Sequence, residues 1–439
     1  MLNNPCKENG RMRKILINGG NFLYGSVEIS GMKNAALPVI YATILANDVC
    51  ILENIPSVSD VTLSLEILAD MGARVRRINS TSVEIDTTGL APVSPDADLV
   101  SRIRASTYLL GACLGRFGKA SVPYPGGCDI GPRPLNFHME AFKKLGAAVS
   151  NDNGMFVANA PDGLKGSMIS LEIPSVGATV NSILAAVFAS GTTIIHNAAR
   201  EPHIIDLAGF LNNCGADIRG AGTNVIKVVG VKSLHGTSYK ILPDMIEAGT
   251  YMVAAAACGG MVNICSVVPK HLEAISARLI DMGVGVEARG DRITVTSNGF
   301  LQATDVKTGF YPGFPTDMHP QFAVLLAMAK GVSTITDSVF DNRFKYADQL
   351  EKMNANVKVS GNTAIFVGGN LKAAPVVAPD LRAGAALVIA GLAADGVTEI
   401  SNVELIERGY VNIINKLRAL GADITMRVEP DAVSIPTVG

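Results

Sequence analysis

The segment Leu65-Glu66-Ile67-Leu68-Ala69-Asp70-Met71-Gly72-Ala73 indicates how this chain folds, because its pattern recurs along the whole sequence. In each copy an amphipathic helical segment ends in Met/Leu-Gly-Ala or a close variant, and two short strands follow around a polar turn. Glycine, or asparagine once, takes the left-handed conformation that ends a helix. The further copies, spaced by about 70 residues, are Phe142–Ala147, Phe210–Ala216, Leu279–Gly283, Leu350–Ala355 and Leu417–Ala422.

A front half precedes these endings. A strand leads into a long apolar helix, and a glycine with a β-branched strand follows, as in Ser190–Ile195 and Lys330–Ile335. The unit is therefore predicted to be βαβαββ. Because the front helices are apolar all round, we expect them to be buried, with the sheets packed outside them. The clearest front helices are predicted over Thr179–Ala189, Gln321–Lys330 and Gly384–Ala394.

Six copies divide naturally into three and three, which predicts an α/β fold of two pseudo-symmetric domains with a cleft between them. The chain of 439 residues is also too long for one ordinary core. We expect one domain over residues 34–242. The other domain is discontinuous, with residues 1–33 joining residues 243–439, so that an N-terminal strand completes its three repeats.

Composition narrows the classes of function. With 37 basic and 39 acidic residues, the near balance of charge argues against a broad nucleic-acid or anionic-membrane surface. The apolar stretch Tyr251–Lys270 is interrupted by glycines and Asn263, which favours a buried helix followed by a strand over a membrane span. Met1–Lys14 has no apolar run, so we expect no signal peptide. The seven scattered cysteines lack a CxxC pair, which predicts a reducing compartment without disulfides or structural zinc.

Three parts of the sequence differ from scaffold. Lys33 and Asn34 stand where a strand enters the first buried helix, a place that attracts anions, although a solvated lysine is an equal alternative. Arg104 and the Pro/Gly-rich loop Pro125–Pro134 follow, with Cys128 near Arg133; a nearby cation favours a reactive thiolate, and an exposed structural cysteine is the alternative. The third part is a set of polar residues at matching points of the second half, and each is predicted to stand at the head of a helix or in a strand–helix turn. Individually they could be caps or surface ion pairs. They are Asp317, Arg343, Asp380, Arg382 and Arg408.

Other chemistries have little support in the sequence. Gly118-Lys119-Ala120 lacks the remainder of a P-loop, and no GxGxxG, HExxH or GxSxG motif is present. His138-Met139-Glu140 matches half of a zinc deaminase signature, but no PCxxC follows it. The six histidines have no metal-ligand spacing.

Together these residues resemble the enolpyruvyl transferases, from about Lys14 to Ile424. The Pro-Gly-Gly-Cys loop resembles the branch of that family that acts on a UDP-sugar and is absent from the branch that acts on shikimate 3-phosphate. The resemblance implies two inside-out α/β barrel domains, each of three βαβαββ repeats, that close over the substrates. The motifs that carry it are Lys33–Ala35, Pro125–Cys128, Pro174–Thr179, Phe314–Met318 and Asn342–Phe344.

The resemblance further implies transfer of the enolpyruvyl group of phosphoenolpyruvate to the 3-hydroxyl of UDP-N-acetylglucosamine, the first committed step of peptidoglycan synthesis. Cys128 would be the general acid and the group that fosfomycin alkylates, Asp317 the base, and Lys33 and Arg408 would stabilise charge. Lys33, Asn34, Arg133 and Arg408 would hold phosphoenolpyruvate. The UDP-sugar would contact Arg104, Arg133, Pro134, Leu135, Asn136, Ser175, Val176, Gly177, Asp317 and Val339, and supporting roles would fall to Arg343, Asp380, Arg382 and His138.

The resemblance implies no metal, organic cofactor, nucleic acid or membrane partner. It implies a cytoplasmic location. Asn136, Met245 and Met32 depart from the family pattern. They leave open a relative that uses another uridine nucleotide, such as UMP. A catalytically silent regulator that binds UDP-sugar is the other alternative, although a binding module needs neither the acid nor the base.

Overall fold

A computed structural model describes residues 11–126, 135–152 and 154–430. Contacts divide these residues into two compact units. The inserted unit comprises residues 30–244 and 310–313, and the discontinuous unit comprises residues 11–29, 245–309 and 314–430. The discontinuous unit opens with strands β1 (Arg11–Asn18) and β2 (Leu23–Glu28).

The inserted unit contains three successive sets of helices and strands, and Lys33 begins the first helix. In chain order its elements are α1 (Lys33–Ala46), β3 (Val49–Glu53), α2 (Ser59–Asp70), β4 (Arg74–Asn79), β5 (Ser82–Asp86), α3 (Ala97–Ser101), a 3₁₀ helix (Arg104–Thr107), α4 (Tyr108–Phe117), β6 (Lys119–Pro123), α5 (Asn136–Lys144), β7 (Ala148–Asp152), β8 (Met155–Asn159), β9 (Met168–Ser170), α6 (Val176–Ala186), β10 (Thr192–His196), α7 (Pro202–Asn213), β11 (Asp217–Arg219), β12 (Val225–Val229) and β13 (Ser238–Lys240).

Sheets of this unit share one plan. A parallel pair lies beside an antiparallel hairpin, in the orders β13-β3-β5-β4 and β11-β12-β10-β9. The remaining sheet, β6-β8-β7, has no parallel strand among the described residues, because α3 and the 3₁₀ helix stand before α4 in place of a strand. The front half that we predicted for every copy is therefore incomplete here. Helices α1, α4 and α6 pack on one another and are largely buried, as their apolar sequences predict.

The discontinuous unit repeats this plan. Its further elements are α8 (Met245–Cys258), β14 (Gly260–Cys265), a 3₁₀ helix (Pro269–Leu272), α9 (Glu273–Asp281), β15 (Gly285–Arg289), β16 (Arg292–Ser297), β17 (Val306–Lys307), a 3₁₀ helix (Thr316–Met318), α10 (His319–Met328), β18 (Val332–Thr336), α11 (Ala347–Lys352), β19 (Asn356–Ser360), β20 (Thr363–Val367), β21 (Pro375–Val377), α12 (Leu381–Ala393), β22 (Val397–Ser401), α13 (Val403–Glu407), α14 (Ile413–Ala419) and β23 (Asp423–Pro430).

Its sheets run β15-β16-β14-β2, β17-β18-β20-β19 and β21-β22-β1-β23. Strand β1 lies between β22 and β23, with Ile15 paired to both Ile400 and Met426. Helices α8, α10 and α12 contact each other and supply much of the core. The α/β class and the buried position of the front helices are confirmed. In Tyr251–Lys270 the predicted helix and strand are α8 and β14, and the last two residues begin a 3₁₀ helix that was not predicted.

The residues that were predicted to end the second helix of each copy have positive φ, between 68° and 102°. This left-handed conformation is costly for residues with a Cβ, which explains the recurrence of glycine. The front helices begin earlier than predicted, at Val176, His319 and Leu381. In two cases a side chain caps the extra turn, since Ser175 and Asp380 accept backbone N–H groups there. The six left-handed residues are Gly72, Gly146, Gly215, Gly283, Asn354 and Gly421.

Within the described residues, no helix combines the length and the apolar character that crossing a bilayer requires.

Candidate active site

Lys33 is the first residue of α1 and is 9% exposed. Its ammonium nitrogen lies 3.1 Å from Oδ2 of Asp60, whose carboxylate is also buried. A buried ammonium requires a partner, because desolvation of an isolated charge costs several kcal/mol. The solvated alternative that we considered for Lys33 is therefore wrong, because its ammonium group is buried and paired with Asp60. Asn34 follows it in the same turn and is partly exposed.

Three segments of the inserted unit carry the residues assigned to the UDP-sugar. Arg104 begins the 3₁₀ helix before α4, and Asn136 begins α5 directly after Leu135. Ser175 caps α6, where its hydroxyl accepts the N–H of Ala178 at 3.3 Å. Val176 and Gly177 therefore lie in the first turn of α6, and an N-terminal first turn carries N–H groups that suit anionic or polar ligands.

His138 lies between these segments and is 5% exposed. Burial, with a smaller contribution from the charge of Arg104, lowers the pKa of His138 to about 3. Its Nδ1 lies 2.7 Å from Nδ2 of Asn181. A Cβ on Gly177 would stand 2.9 Å from the Cε1 atom of His138, so the imidazole packs directly on the backbone of α6. His138 is therefore a buried, neutral imidazole that packs between α5 and the first turn of α6.

Asp317 is the centre of a charge cluster in the discontinuous unit. Its Oδ1 accepts a 2.6 Å bond from Arg343, and its Oδ2 accepts bonds of 3.2 and 3.1 Å from Nε and Nη2 of Arg382. Both arginine side chains are almost fully buried, at 3% and 4% exposure, whereas the Asp317 side chain is 28% exposed. Two buried guanidinium groups thus orient one accessible carboxylate.

Asp380 and Tyr410 both contact Arg382 and help to hold it in this cluster. Asp380 caps α12, and its Oδ1 accepts the N–H groups of Arg382 at 2.8 Å and Ala383 at 2.9 Å. The guanidinium of Arg382 lies 5.4 Å from the ring centre of Tyr410. Arg408 caps the end of α13 and is partly exposed. It follows a short helix, whereas we expected each of these arginines to stand at the head of one or in a strand–helix turn.

Asp337 connects the segment of Asp317 to that of Val339. Its Oδ2 accepts a 2.6 Å bond from the hydroxyl of Thr316, and its Oδ1 accepts the N–H groups of Val339 at 2.8 Å and Phe340 at 3.0 Å. Burial alone would raise the pKa of Asp337, but these hydrogen bonds and nearby His319 hold it below its usual value. Asp337 therefore stabilises the position of two assigned residues at once.

Sequence inspection missed Asp60, Asn181 and Asp337. Each had a visible signal, since Asp60 interrupts the buried face of α2, Asn181 interrupts an apolar helix, and Asp337 directly follows the β-branched strand β18. Cys128, Arg133 and Pro134 lie outside the described residues. Among the residues that the structure describes, no three His, Cys, Asp or Glu side chains gather as they would around a metal ion.

Comparison with known proteins gives consistent matches. The family model described as EPSP synthase (3-phosphoshikimate 1-carboxyvinyltransferase) matches residues 17–417. A UDP-N-acetylglucosamine 1-carboxyvinyltransferase of Clostridium botulinum is 51% identical over 94% of this chain and 99% of its own length. A UDP-N-acetylglucosamine 1-carboxyvinyltransferase 2 of Clostridium acetobutylicum is 50% identical over the same shares.

Solved structures agree on the fold. The enolpyruvyl transferase NikO of Streptomyces tendae superposes with a TM-score of 0.85 at 26% identity, covering 95% of this chain and 100% of that one. An EPSP synthase of Acinetobacter baumannii has a TM-score of 0.73 at 21% identity, over 94% of this chain and 100% of its own, which speaks for the fold alone.

Proposed function

This chain belongs to the EPSP synthase family of enolpyruvyl transferases, and from that membership we infer that it transfers the enolpyruvyl group of phosphoenolpyruvate to the 3-hydroxyl of UDP-N-acetylglucosamine, releasing phosphate. The observation that carries this conclusion is identity of 50% or more, over 94% of the chain, to enzymes named for that acceptor. The EPSP synthase structure shares the fold at only 21% identity. The product commits its sugar to peptidoglycan synthesis.

The two alternative functions are not favoured. Use of a different uridine nucleotide as acceptor would require an acceptor specificity unlike that of the relatives, which are 50% and 51% identical in sequence over 99% of their length and are named for UDP-N-acetylglucosamine. A silent binding module would have no use for the cluster in which two buried arginines orient Asp317. The chain therefore acts as a transferase.

The first step of the proposed reaction is an addition. The sugar 3-hydroxyl oxygen forms a bond to C2 of phosphoenolpyruvate while Asp317 accepts the hydroxyl proton. Cys128 delivers a proton to the methylene carbon, so that a tetrahedral adduct with a methyl group results. The carboxylate of Asp317 is held by both arginines and is 28% exposed, so it is oriented and can be reached by a hydroxyl group.

The second step is an elimination. The Cys128 thiolate that the first step leaves takes a proton from the new methyl group, the C–H electron pair forms the double bond to C2, and the C2–O bond to phosphate breaks. The enol ether results, and inorganic phosphate leaves with the proton that Asp317 had accepted. Charge develops on phosphate and carboxylate oxygens throughout, which requires fixed cations. We assign Lys33, Asn34, Arg133 and Arg408 to phosphoenolpyruvate. The buried bond of Lys33 to Asp60 supports this assignment, because it holds the ammonium in one place.

UDP-N-acetylglucosamine is assigned to the residues that the family resemblance implies for it, which are Arg104, Arg133, Pro134, Leu135, Asn136, Ser175, Val176, Gly177, Asp317 and Val339. The substrates are phosphorylated small molecules of the cell interior, which supports a cytoplasmic location. The reaction changes no oxidation state, so it requires no redox cofactor.

Phosphate release tests the proposal. We expect release from wild type only when phosphoenolpyruvate and UDP-N-acetylglucosamine are both present, and loss of release in Cys128→Ser. Cys113→Ala is the matched control, because Cys113 is buried and burial raises the pKa of its thiol to about 12, which disfavours the reactive thiolate. Fosfomycin should add one mass adduct to wild type and none to Cys128→Ser. Release with UMP or shikimate 3-phosphate, and none with the UDP-sugar, would overturn the assignment of acceptor.

A further inference from the structure

Asn181 lies one turn after Gly177 in α6 and is fully buried. Its side chain bonds in three directions. Nδ2 donates to the carbonyl oxygen of Thr107 at 3.1 Å and contacts Nδ1 of His138 at 2.7 Å, while Oδ1 accepts the N–H of Gly111 at 2.7 Å. Two amide protons and one oxygen are thus all engaged, with partners on three other parts of the fold.

These contacts determine the direction of every bond. The N–H of Gly111 can only donate and the carbonyl of Thr107 can only accept, so the amide of Asn181 has one possible orientation. Its second N–H must then donate to Nδ1 of His138. An imidazole that accepts at Nδ1 is neutral and carries its proton at Nε2. The burial of His138 favours the same neutral form.

The elements that Asn181 joins are the ones that carry the proposed acceptor residues of this unit. Thr107 ends the 3₁₀ helix that Arg104 begins, and His138 lies in the first turn of α5, which Asn136 begins. Asn181 itself follows Ser175–Gly177 on α6, and the His138 ring rests on Gly177. One amide therefore sets the spacing of three segments that are distant in sequence.

We propose that Asn181 is a positioning residue of the acceptor site. Its side chain holds the 3₁₀ helix, α5 and α6 at fixed positions relative to one another and keeps His138 as the Nε2–H tautomer. The inference rests on the proposed function, and it deepens the acceptor half of it. Aspartate, leucine and threonine cannot replace Asn181, because none of them supplies two donors and one acceptor in this geometry.

The positioning role is tested by the Kd of UDP-N-acetylglucosamine, measured by titration calorimetry in the absence of phosphoenolpyruvate. In Asn181→Leu and Asn181→Asp we expect the Kd to rise at least about tenfold, because small displacements of binding groups are costly. Asn212→Leu is the matched control, since Asn212 also makes two amide bonds, to Ile218, but lies on α7. Its Kd should stay within about twofold of wild type.

Nitrogen-15 NMR of histidine-labelled protein measures the tautomer. The resonance is assigned by its loss in His138→Gln. We expect protonated Nε2 and unprotonated Nδ1 in wild type, and protonation of Nδ1 in Asn181→Asp, whose carboxylate can only accept. A packing role alone would leave the tautomer unchanged.

The outcomes separate the two proposals. If wild type releases no phosphate, the proposed function fails, and the NMR result still decides the role of Asn181 toward His138. If wild type is active but both Asn181 variants keep the wild-type Kd, the positioning proposal is overturned while the function stands. A wild-type His138 protonated at Nδ1 would overturn it as well. Should Asn181→Leu not fold, the isosteric Asn181→Asp provides both measurements.

Discussion

Replacing Asp317 by asparagine should destabilise the protein more than removing either of its arginine partners. The carboxylate is 28% exposed, whereas Arg343 and Arg382 are 3% and 4% exposed. Loss of the carboxylate therefore leaves two guanidinium groups buried without this counter-charge. Loss of an arginine removes a buried charge together with its bond, and the second arginine still pairs with Asp317.

The magnitude follows from these exposures. Breaking a buried pair by removing one partner costs about 3–5 kcal/mol, and the partial exposure of Asp317 places Asp317→Asn near the lower end, at about 3 kcal/mol. Arg343→Met loses the hydrogen bond to Asp317, worth about 1.5–3 kcal/mol, together with a longer bond of 3.3 Å to the carbonyl oxygen of Thr316, and it regains part of this stability because a buried cation is gone. For a domain of about 200 residues, 3 kcal/mol lowers Tm by roughly 6–12 °C.

Calorimetric melting at neutral pH checks the prediction, with Glu84→Gln as control. Glu84 also accepts two bonds from one arginine, Arg76, but that arginine is 68% exposed, so Tm should hardly change. The double variant Asp317→Asn/Arg343→Met should melt above Asp317→Asn alone. The reasoning is refuted if Asp317→Asn melts with wild type, or if the added Arg343→Met lowers Tm further. The role of Asp317 as base is tested separately from stability: kcat of Asp317→Asn should fall at least about a hundredfold.

Three further changes test other parts of the site. His319 has a pKa lowered to about 3 by burial, so its contribution to stability is present above pH 6.5 and is lost as pH falls toward 3; His319→Leu should reduce the acid slope in urea unfolding by up to about 1.4 kcal/mol per pH unit. Asp337→Asn should raise the KM for the UDP-sugar severalfold, because Asp337 uses both carboxylate oxygens and the amide replaces one of them, whereas Asp305→Asn should not, because it keeps the one oxygen that accepts both bonds from Thr334. Gly177→Ala should weaken acceptor binding in calorimetry by about tenfold, because its methyl group would stand 2.9 Å from the ring of His138.

The architecture was readable because its signals are local. Apolar runs predicted the front helices, and a left-handed residue at the end of each second helix predicted where the chain turns back. The strand before α4 was wrongly expected, because the repeat was extrapolated to a copy whose segment Ala97–Thr107 is helical. The early start of α6 was missed because the cap of Ser175 depends on backbone geometry that a hydrophobic pattern does not record.

The repeat, the α/β class, the buried helices and the family could be predicted from the sequence alone, because periodicity, turn chemistry and motif residues are local properties of the chain. Which side chains contact each other depends on the three-dimensional fold. Arg343 and Arg382 stand 26 and 65 residues from the carboxylate that they share, and Asn181 stands 43 residues from His138. The contact of Arg343 with Asp317 joins the two halves of one repeat, whereas the contacts of Arg382 with Asp317 and of Asn181 with His138 join separate repeats. A charge or an amide in the sequence shows that a partner is needed, and the fold decides which residue supplies it.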